Sequence, residues 1–170
     1  MHSSPTGELF LDDVRVGRDR LIGETEDLPS GGREGAKDTF SMERTGVAAM
    51  SLGIVEQCLK LCVAYAKERV QFGKPIGSFQ AVKHHMANVA VRLEYAKAPT
   101  HRAAYAIAHG QAVAAHAVSH AKLVACEAAN LAARNCHQVH GAMGYTWEVD
   151  LHIFMKKAWA LANTWGDAGF

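Results

Sequence analysis

Residues 112–139, AVAAHAVSHAKLVACEAANLAARNCHQV, decide how this chain can fold. No Gly or Pro interrupts the run, so the sequence predicts one long helix. Ten of its 28 residues are alanines, whose side chains are single methyl groups, so neighbouring helices must approach it closely. We therefore expect this helix to pack inside a bundle of helices.

Three further segments have helical spacing. From Phe40, apolar residues recur at threes and fours, which predicts a helix of roughly 40 Å at about 1.5 Å per residue. RVQFGKPIG, residues 69–77, interrupts this pattern with Gly and Pro. Helical spacing resumes over residues 78–109, and residues 149–162 predict a shorter last helix. We expect an all-α fold, an antiparallel four-helix bundle.

The start of the chain has a different character. Residues 8–16, ELFLDDVRV, alternate polar and apolar side chains, which predicts one strand. Residues 23–35 are rich in Gly, Ser and charge, which predicts a loop. A lone strand before a helical bundle has nothing to pair with. Either the segment packs as irregular chain, or its sheet lies outside this polypeptide.

Composition excludes several classes of function. With 18 basic and 17 acidic residues mixed along the chain there is no basic stripe, so we expect no nucleic-acid partner. No apolar run approaches the roughly 20 residues of a membrane helix, so we expect no membrane span. The four cysteines form no CxxC pair and no signal peptide precedes them, which favours the cytoplasm. His116 and His120 lack the Glu of an HExxH motif, and we expect no metal site.

Four segments in order along the chain resemble the acyl-CoA dehydrogenase family. LFLDDVRVGRDRLIGE, residues 9–24, is similar to the end of the family's middle β-domain, and FSMERTGVAAMSLGIVEQCL, residues 40–59, to the first helix of its C-terminal domain. ERVQFGKPIGSFQAV, residues 68–82, resembles the Arg-x-x-Phe-Gly-x-Pro-Ile signature. QVHGAMGYTWE, residues 138–148, resembles the Gln-x-x-Gly-Gly-x-Gly-Tyr turn, with Ala142 in place of one Gly.

The resemblance implies a flavoenzyme built from an N-terminal helical domain, a middle β-domain and this bundle. Such an enzyme forms a dimer or tetramer with FAD between subunits. It oxidises an acyl-CoA to the trans-2-enoyl-CoA and passes electrons to electron-transfer flavoprotein or another acceptor. Residues 1–37 then correspond to a remnant of the β-domain with its linker, and residues 38–170 to the C-terminal bundle. We expect this chain alone to be inactive.

The resemblance also bears on the catalytic base. The usual base, a Glu after the last helix, is replaced by Trp165. A minority of the family carries the base on the first C-terminal helix, immediately before an Arg, where this chain has Glu43 and Arg44. Glu43 is therefore the candidate base, with Phe40 and Arg44 as substrate-binding residues. The alternatives are that Glu43 only stabilises a helix start as a first-turn acid, or that Asp167 is the base.

By the same resemblance, six residues contact FAD: Arg69, Phe72, Gln80, Gln138, Gly141 and Ala142. Arg69 matches the Arg that reaches the pyrophosphate of a flavin in the neighbouring subunit, a role that suits a planar and permanently charged donor. Phe72 and Gln80 match contacts to adenosine. Alternatively, Phe72 is a core anchor for its turn.

Two other functions remain open at this point. The chain could be a non-catalytic partner in a heteromeric member of the family, since the usual Glu is absent, or a related flavin oxidase on the same fold. Apolar residues on more than one side of the last helix predict an oligomer in each case: Leu151, Ile153, Phe154, Met155, Trp159 and Leu161.

Overall fold

The computed structural model describes residues 7–20 and 32–169. The chain divides into two compact units, residues 1–39 and residues 40–170. The elements are α1 (Gly32–Glu68), β1 (Val70–Gln71), β2 (Lys74–Pro75), α2 (Gln80–Ala108), α3 (Ala114–His140) and α4 (Leu151–Asn163), with short 3₁₀ turns at Arg18–Arg20, Ile76–Ser78 and Gly141–Tyr145. The predicted all-α four-helix bundle is confirmed.

The strand predicted over residues 8–16 is wrong. The described residues 7–20 contain no strand, and their apolar side chains are largely exposed, with Leu9 at 84% and Phe10 at 85%. Alternation alone cannot form a strand, because the backbone groups of a strand need a hydrogen-bonding neighbour. The segment is irregular chain here.

The first helix begins earlier than the sequence indicates. α1 begins at Gly32, whereas helical spacing starts at Phe40, and a loop was predicted over residues 23–35. Residues 21–31 lie outside the described part of the chain. Residues 32–39 carry no apolar face, so their helical conformation leaves no periodic signal in the sequence.

α3 forms the centre of the bundle. Thirteen of its residues are buried, and seven of these are alanines. On α1, the Ser51 hydroxyl lies 3.6 Å from the Cys126 thiol. On α2, the His85 carbonyl accepts a hydrogen bond of 3.3 Å from the Asn135 amide. The Cys126 thiol also donates to the Leu161 carbonyl of α4, so α3 contacts all three other helices.

The four cysteines are free and buried in this core. A hydrogen bond with Cys136, together with burial, raises the pKa of the Cys58 thiol far above its ordinary value. Cys58 lowers the pKa of Cys136 through the same bond, but the bond with Cys62 and burial outweigh this effect and raise it overall. The thiols of Cys58 and Cys136 therefore stay protonated, and all four buried cysteines serve as small packing groups.

A tight hairpin joins α1 to α2. β1 and β2 are antiparallel, with Val70 opposite Pro75 and Gln71 opposite Lys74. The two residues between them, Phe72 and Gly73, both have positive φ, at 54° and 78°, as a two-residue type I′ turn requires. The RVQFGKPIG interruption is therefore a hairpin.

By length and composition alone, one helical stretch in the described residues, Ala36–Glu68 of α1, could cross a membrane. The core helix of a bundle passes the same test, and 44% of the 18-residue window that meets it is buried within the chain. A single such helix is weak evidence for a membrane span, which the sequence did not predict.

The hairpin requires a glycine at its exit. A Cβ on Gly77 would lie 2.9 Å from the Ala66 carbonyl oxygen of α1, which is backbone and cannot rotate away. We predict that Gly77→Ala lowers the free energy of unfolding by about 1–3 kcal/mol in urea denaturation. The control is Gly53→Ala, an exposed position inside α1 with no atom within 4 Å. It should raise stability by up to about 1 kcal/mol. Equal effects of the two changes would contradict this close contact.

Candidate functional site

One group of predicted residues lies where the hairpin meets the end of α3. The Arg69 amide donates to the Tyr65 carbonyl at 2.8 Å, and the Ile76 amide donates to the Arg69 carbonyl at 2.8 Å. The Tyr65 ring stacks on His140 of α3 with centroids 4.4 Å apart. The predicted FAD residues of the hairpin and of the α3 terminus therefore belong to elements that meet. We call this the hairpin end of the bundle.

Phe72 is at the tip of the hairpin and is 91% exposed. Its ring makes an edge contact with the Phe79 ring, with centroids 6.0 Å apart. The Lys74 ammonium lies 4.6 Å from the centroid of the Phe79 ring. The prediction that Phe72 might anchor the core is therefore wrong. A non-glycine residue held at positive φ costs about 1–3 kcal/mol. An exposed aromatic ring at a strained position adds little to the stability of this chain, so its ring is available to a ligand.

The other hairpin-end residues are also accessible. Arg69 and Gln80 are exposed, and the Arg69 guanidinium pairs with no acidic side chain in the described part of the chain. At the α3 terminus Gln138, Gly141 and Ala142 are exposed as well. Gly141 has φ 57° and ψ −136°, a conformation that side chains strongly disfavour. At the hairpin end, the Arg69 guanidinium, the Phe72 ring and the backbone turn at Gly141 are therefore accessible to solvent.

The second group of predicted residues lies at the opposite end of α1. The Phe40 ring contacts the Trp165 ring at 4.7 Å, and Arg44 Nε donates to the Trp165 carbonyl at 3.2 Å. Glu43 is exposed and neighbours Phe40 on the surface of α1, because residues three apart are adjacent on a helix, and it directly precedes Arg44 in the chain. We call this the turn end, after residues 164–167.

One alternative role for Glu43 is excluded. The sequence left open that Glu43 is a first-turn acid that stabilises the helix dipole. α1 begins at Gly32, three turns earlier, and the dipole effect is confined to the first turn. Glu43 has no such role, and no other contact in the described structure occupies its carboxylate.

A cavity of about 490 Å³ opens beside the turn end. Its walls are α3, residues 162–169 and the Arg44 side chain, and we call it the Arg44–Trp165 cavity. Polar and charged groups line it: Arg44, Ser119, Lys122, Glu127, Asn130, Asn163 and Asp167. Asp167, the alternative base, accepts a hydrogen bond of 2.8 Å from the Gly169 amide. Glu43 is not among the lining residues, although it neighbours Arg44.

Lys122 and Asn130 are site residues that the sequence analysis missed. Lys122 is 6% exposed, and the Oδ1 atom of Asn130 is buried with no hydrogen-bond partner in the described structure. Lys122 stands among the buried positions Val118, Cys126 and Ala129 on the apolar face of α3. The sequence signal was a lysine at a position that helical spacing places on the buried face of α3. Such a residue indicates a site because a buried charge requires partners.

A second cavity, of about 520 Å³, lies between α4 and the end of α3. Its rings and cations contact one another, with Lys156 lying 4.6 Å from the Trp147 centroid and His152 4.5 Å from the same ring. None of the residues predicted for FAD or substrate lines it. Among the described residues, no group of three or more His, Cys, Asp or Glu side chains could hold a metal ion.

The two ends are far apart in one chain. Arg69 follows Arg44 by 25 positions in the chain, and α1 covers this stretch up to Glu68. At about 1.5 Å per residue this is roughly 37 Å. One copy of the chain therefore cannot bring both ends to the same part of one ligand.

Comparison with known proteins identifies relatives of this bundle. Residues 30–167 match the family described as acyl-CoA dehydrogenase, C-terminal domain. Acyl-CoA dehydrogenase IpdE2 of Mycobacterium tuberculosis is 45% identical over 112 residues, which are 66% of this chain and 33% of the relative. Glutaryl-CoA dehydrogenase of Desulfococcus multivorans is 36% identical over 157 residues, 92% of this chain and 39% of the relative.

The structure is similar to solved structures as well. The structure of a glutaryl-coenzyme A dehydrogenase in complex with glutaryl-CoA superposes with a TM-score of 0.88 at 33% identity, over 99% of this chain and 42% of the other. The chain spans about two fifths of the length of such relatives.

Proposed function

The chain belongs to the acyl-CoA dehydrogenase family, and we propose that it is the C-terminal helical domain of a flavin-dependent enzyme that oxidises an acyl-CoA between its α and β carbons. The observation that carries this proposal is the superposition of 99% of the chain on a glutaryl-coenzyme A dehydrogenase in complex with glutaryl-CoA. In this proposal residues 1–37 are the end of a β-domain with its linker, and residues 38–170 form the bundle. The free thiols fit the reducing cytoplasm.

The hairpin end fits FAD as the cofactor. The exposed Arg69 guanidinium would hold the pyrophosphate through charge-assisted hydrogen bonds. Phe72 would stack on the adenine, Gln80 would hydrogen-bond the adenosine, and Gln138 with the Gly141–Ala142 turn would approach the phosphates. The strained and exposed position of Phe72 supports this assignment, because it has no evident use within the chain. When bound, FAD supplies the acceptor for the substrate's hydride.

The distance between the two ends supports an oligomer. Because roughly 37 Å of α1 separates Arg44 from Arg69, the hairpin end of one subunit would serve a flavin whose reactive part lies beside another subunit's turn end. A dimer or tetramer places both ends around each flavin. In the whole enzyme, electron-transfer flavoprotein or another acceptor would take up the electrons.

At the turn end, Glu43 would be the base that removes the α proton of the thioester. Proton abstraction from such a carbon needs a positioned carboxylate that no other group occupies. Phe40, which neighbours Glu43 on α1, and Arg44, which follows it in the chain, both contact Trp165, so the part of α1 that carries the base is fixed against the 164–167 turn. Arg44 and Phe40 would border the acyl group.

A second candidate function is a non-catalytic partner in a heteromeric enzyme. The observation in its favour is that Trp165, whose ring contacts Phe40 at a tilt of 34°, stands where the family usually has its catalytic Glu. In this case the chain would keep the hairpin end for a flavin on its partner, and Glu43 would be dispensable.

FAD binding tests the hairpin end. We predict that the purified chain binds FAD in a titration followed by gel filtration and flavin absorbance, and that Phe72→Asn weakens binding by about 1–3 kcal/mol, the value of stacking one base on an aromatic ring. Asn suits the first position of a type I′ turn, so this change should keep or raise stability to urea.

The control for this experiment is Tyr95→Asn, an exposed ring in the middle of α2, which should leave FAD affinity unchanged. Equal affinities of wild type and Phe72→Asn would remove the adenosine contact from the proposal. If the wild-type chain retains no FAD at all, the partner-dependent function is favoured instead.

Catalysis tests the assignment of Glu43. In flavin-loaded protein containing this chain, acyl-CoA should bleach the flavin absorbance under anaerobic conditions. We predict that Glu43→Gln slows this step by about 10²–10⁴-fold, the usual contribution of a general base. Glu56→Gln, which changes another exposed acid on α1, should have no effect. A large loss in Asp167→Asn with none in Glu43→Gln would identify Asp167 as the base.

A further inference from the structure

Lys122 is a buried cation whose hydrogen bonds all go to one short segment. Its ammonium donates to the Ala162 carbonyl at 2.8 Å and to the Gly166 carbonyl. A buried ammonium is costly unless it is hydrogen-bonded, and here two main-chain oxygens supply the bonds. The Ala162 oxygen lies in the last turn of α4, where helix carbonyls have no partner within the helix and the dipole favours a positive charge. The Gly166 oxygen lies three residues beyond the end of the helix.

The rest of the α4 terminus is closed by its own residues. The Thr164 hydroxyl donates to the Ala160 carbonyl at 2.8 Å, and the Thr164 amide donates to the Leu161 carbonyl at 3.2 Å. These bonds end at residue 164. Beyond them, Trp165 and Gly166 both have positive φ, at 58° and 100°. Glycine adopts positive φ readily, but a tryptophan keeps it only where surrounding groups hold the backbone.

Two side chains from other helices hold this turn. Arg44 of α1 donates to the Trp165 carbonyl at 3.2 Å, and Lys122 of α3 donates to the carbonyls on either side, at residues 162 and 166. Lys122 also lines the Arg44–Trp165 cavity, of which α3 and residues 162–169 are facing walls. The ammonium therefore ties one wall of the cavity to the other.

We propose that Lys122 is a positioning residue that fixes the 164–167 turn against α3 and thereby sets the width of the Arg44–Trp165 cavity and the place of the Trp165 ring. Because that ring contacts Phe40, Lys122 also fixes the part of α1 that carries Phe40, Glu43 and Arg44. The consequence for acyl-CoA binding rests on the proposed function, whereas the effect on the turn does not.

The first experiment needs neither flavin nor substrate. Trp147→Phe and Trp159→Phe leave Trp165 as the single fluorescent indole. In this background we expect Lys122→Met, which is similar in length but has no donor, to shift Trp165 emission to the red and to increase its quenching by acrylamide. Lys122→Arg keeps the charge and the donors and should bring the emission and quenching of Trp165 back towards the wild-type values. Lys60→Met, which changes an exposed lysine of α1, is the matched control and should leave Trp165 unchanged.

The outcomes separate positioning from simple stabilisation. If Lys122→Met lowers the urea midpoint but leaves the emission and quenching of Trp165 in the folded protein unchanged, the proposal is overturned. Equal quenching in the Met and Arg variants would also overturn it, because the carbonyl bonds would then be irrelevant. Should Lys122→Met not fold by far-UV circular dichroism, Lys122→Gln, which retains one donor group, takes its place and should show a measurable increase in the quenching of Trp165 over wild type.

A second experiment tests the consequence for the substrate. In flavin-loaded protein, Lys122→Met should raise the acyl-CoA concentration that gives half the maximal bleaching rate, with Lys122→Arg closer to wild type and Lys60→Met identical to it. No change in this concentration, alongside increased quenching of Trp165, would confine the role of Lys122 to the turn. Wild-type protein that is not bleached by any acyl-CoA would contradict the proposed function and leave the fluorescence result standing.

Discussion

The close approach of other helices to α3 is the contact on which the rest of the structure depends. Seven buried alanines on α3 leave little more than backbone and methyl groups between it and its neighbours. At such short separations, thiol and hydroxyl groups of Ser51, Cys62 and Cys126 reach across between helices. The same packing fixes both ends of the bundle, because His140 at one end of α3 stacks on Tyr65 and Lys122 on α3 holds the turn after α4.

Sequence patterns predicted the elements whose signal is apolar periodicity, and failed where the signal is absent. α2, α3 and α4 were predicted to within a few residues, because one face of each is buried. The start of α1 was missed, since residues 32–39 have no apolar face. The strand at residues 8–16 was predicted from alternation, but a strand also needs a hydrogen-bonding neighbour, which local sequence cannot supply. The sequence RVQFGKPIG did not reveal that Phe72 is exposed and has a positive φ, because both depend on the backbone conformation of the hairpin.

The candidate site could be anticipated in its residues but not in its geometry. The motifs named Arg69, Phe72 and Gln138 without indicating that the hairpin and the α3 terminus meet through Tyr65 and His140. They named Glu43 without revealing that it lies three turns inside α1, which removes its alternative role as a capping acid. They did not single out Lys122, because its importance lies in two carbonyls some 40 residues away in the chain.

The central claim of this account is that alanines on α3 permit the close packing that positions both ends of the bundle. Urea unfolding of Ala129→Leu tests it most directly, because Ala129 is fully buried near the middle of α3. The account predicts a loss of about 1–3 kcal/mol in the free energy of unfolding, since three added carbon atoms cannot be accommodated. The matched change Ala115→Leu, at an exposed position on the same helix, should alter stability by no more than about 0.5 kcal/mol. Unchanged or increased stability in Ala129→Leu would mean that α3 is loosely packed, and the account would be wrong.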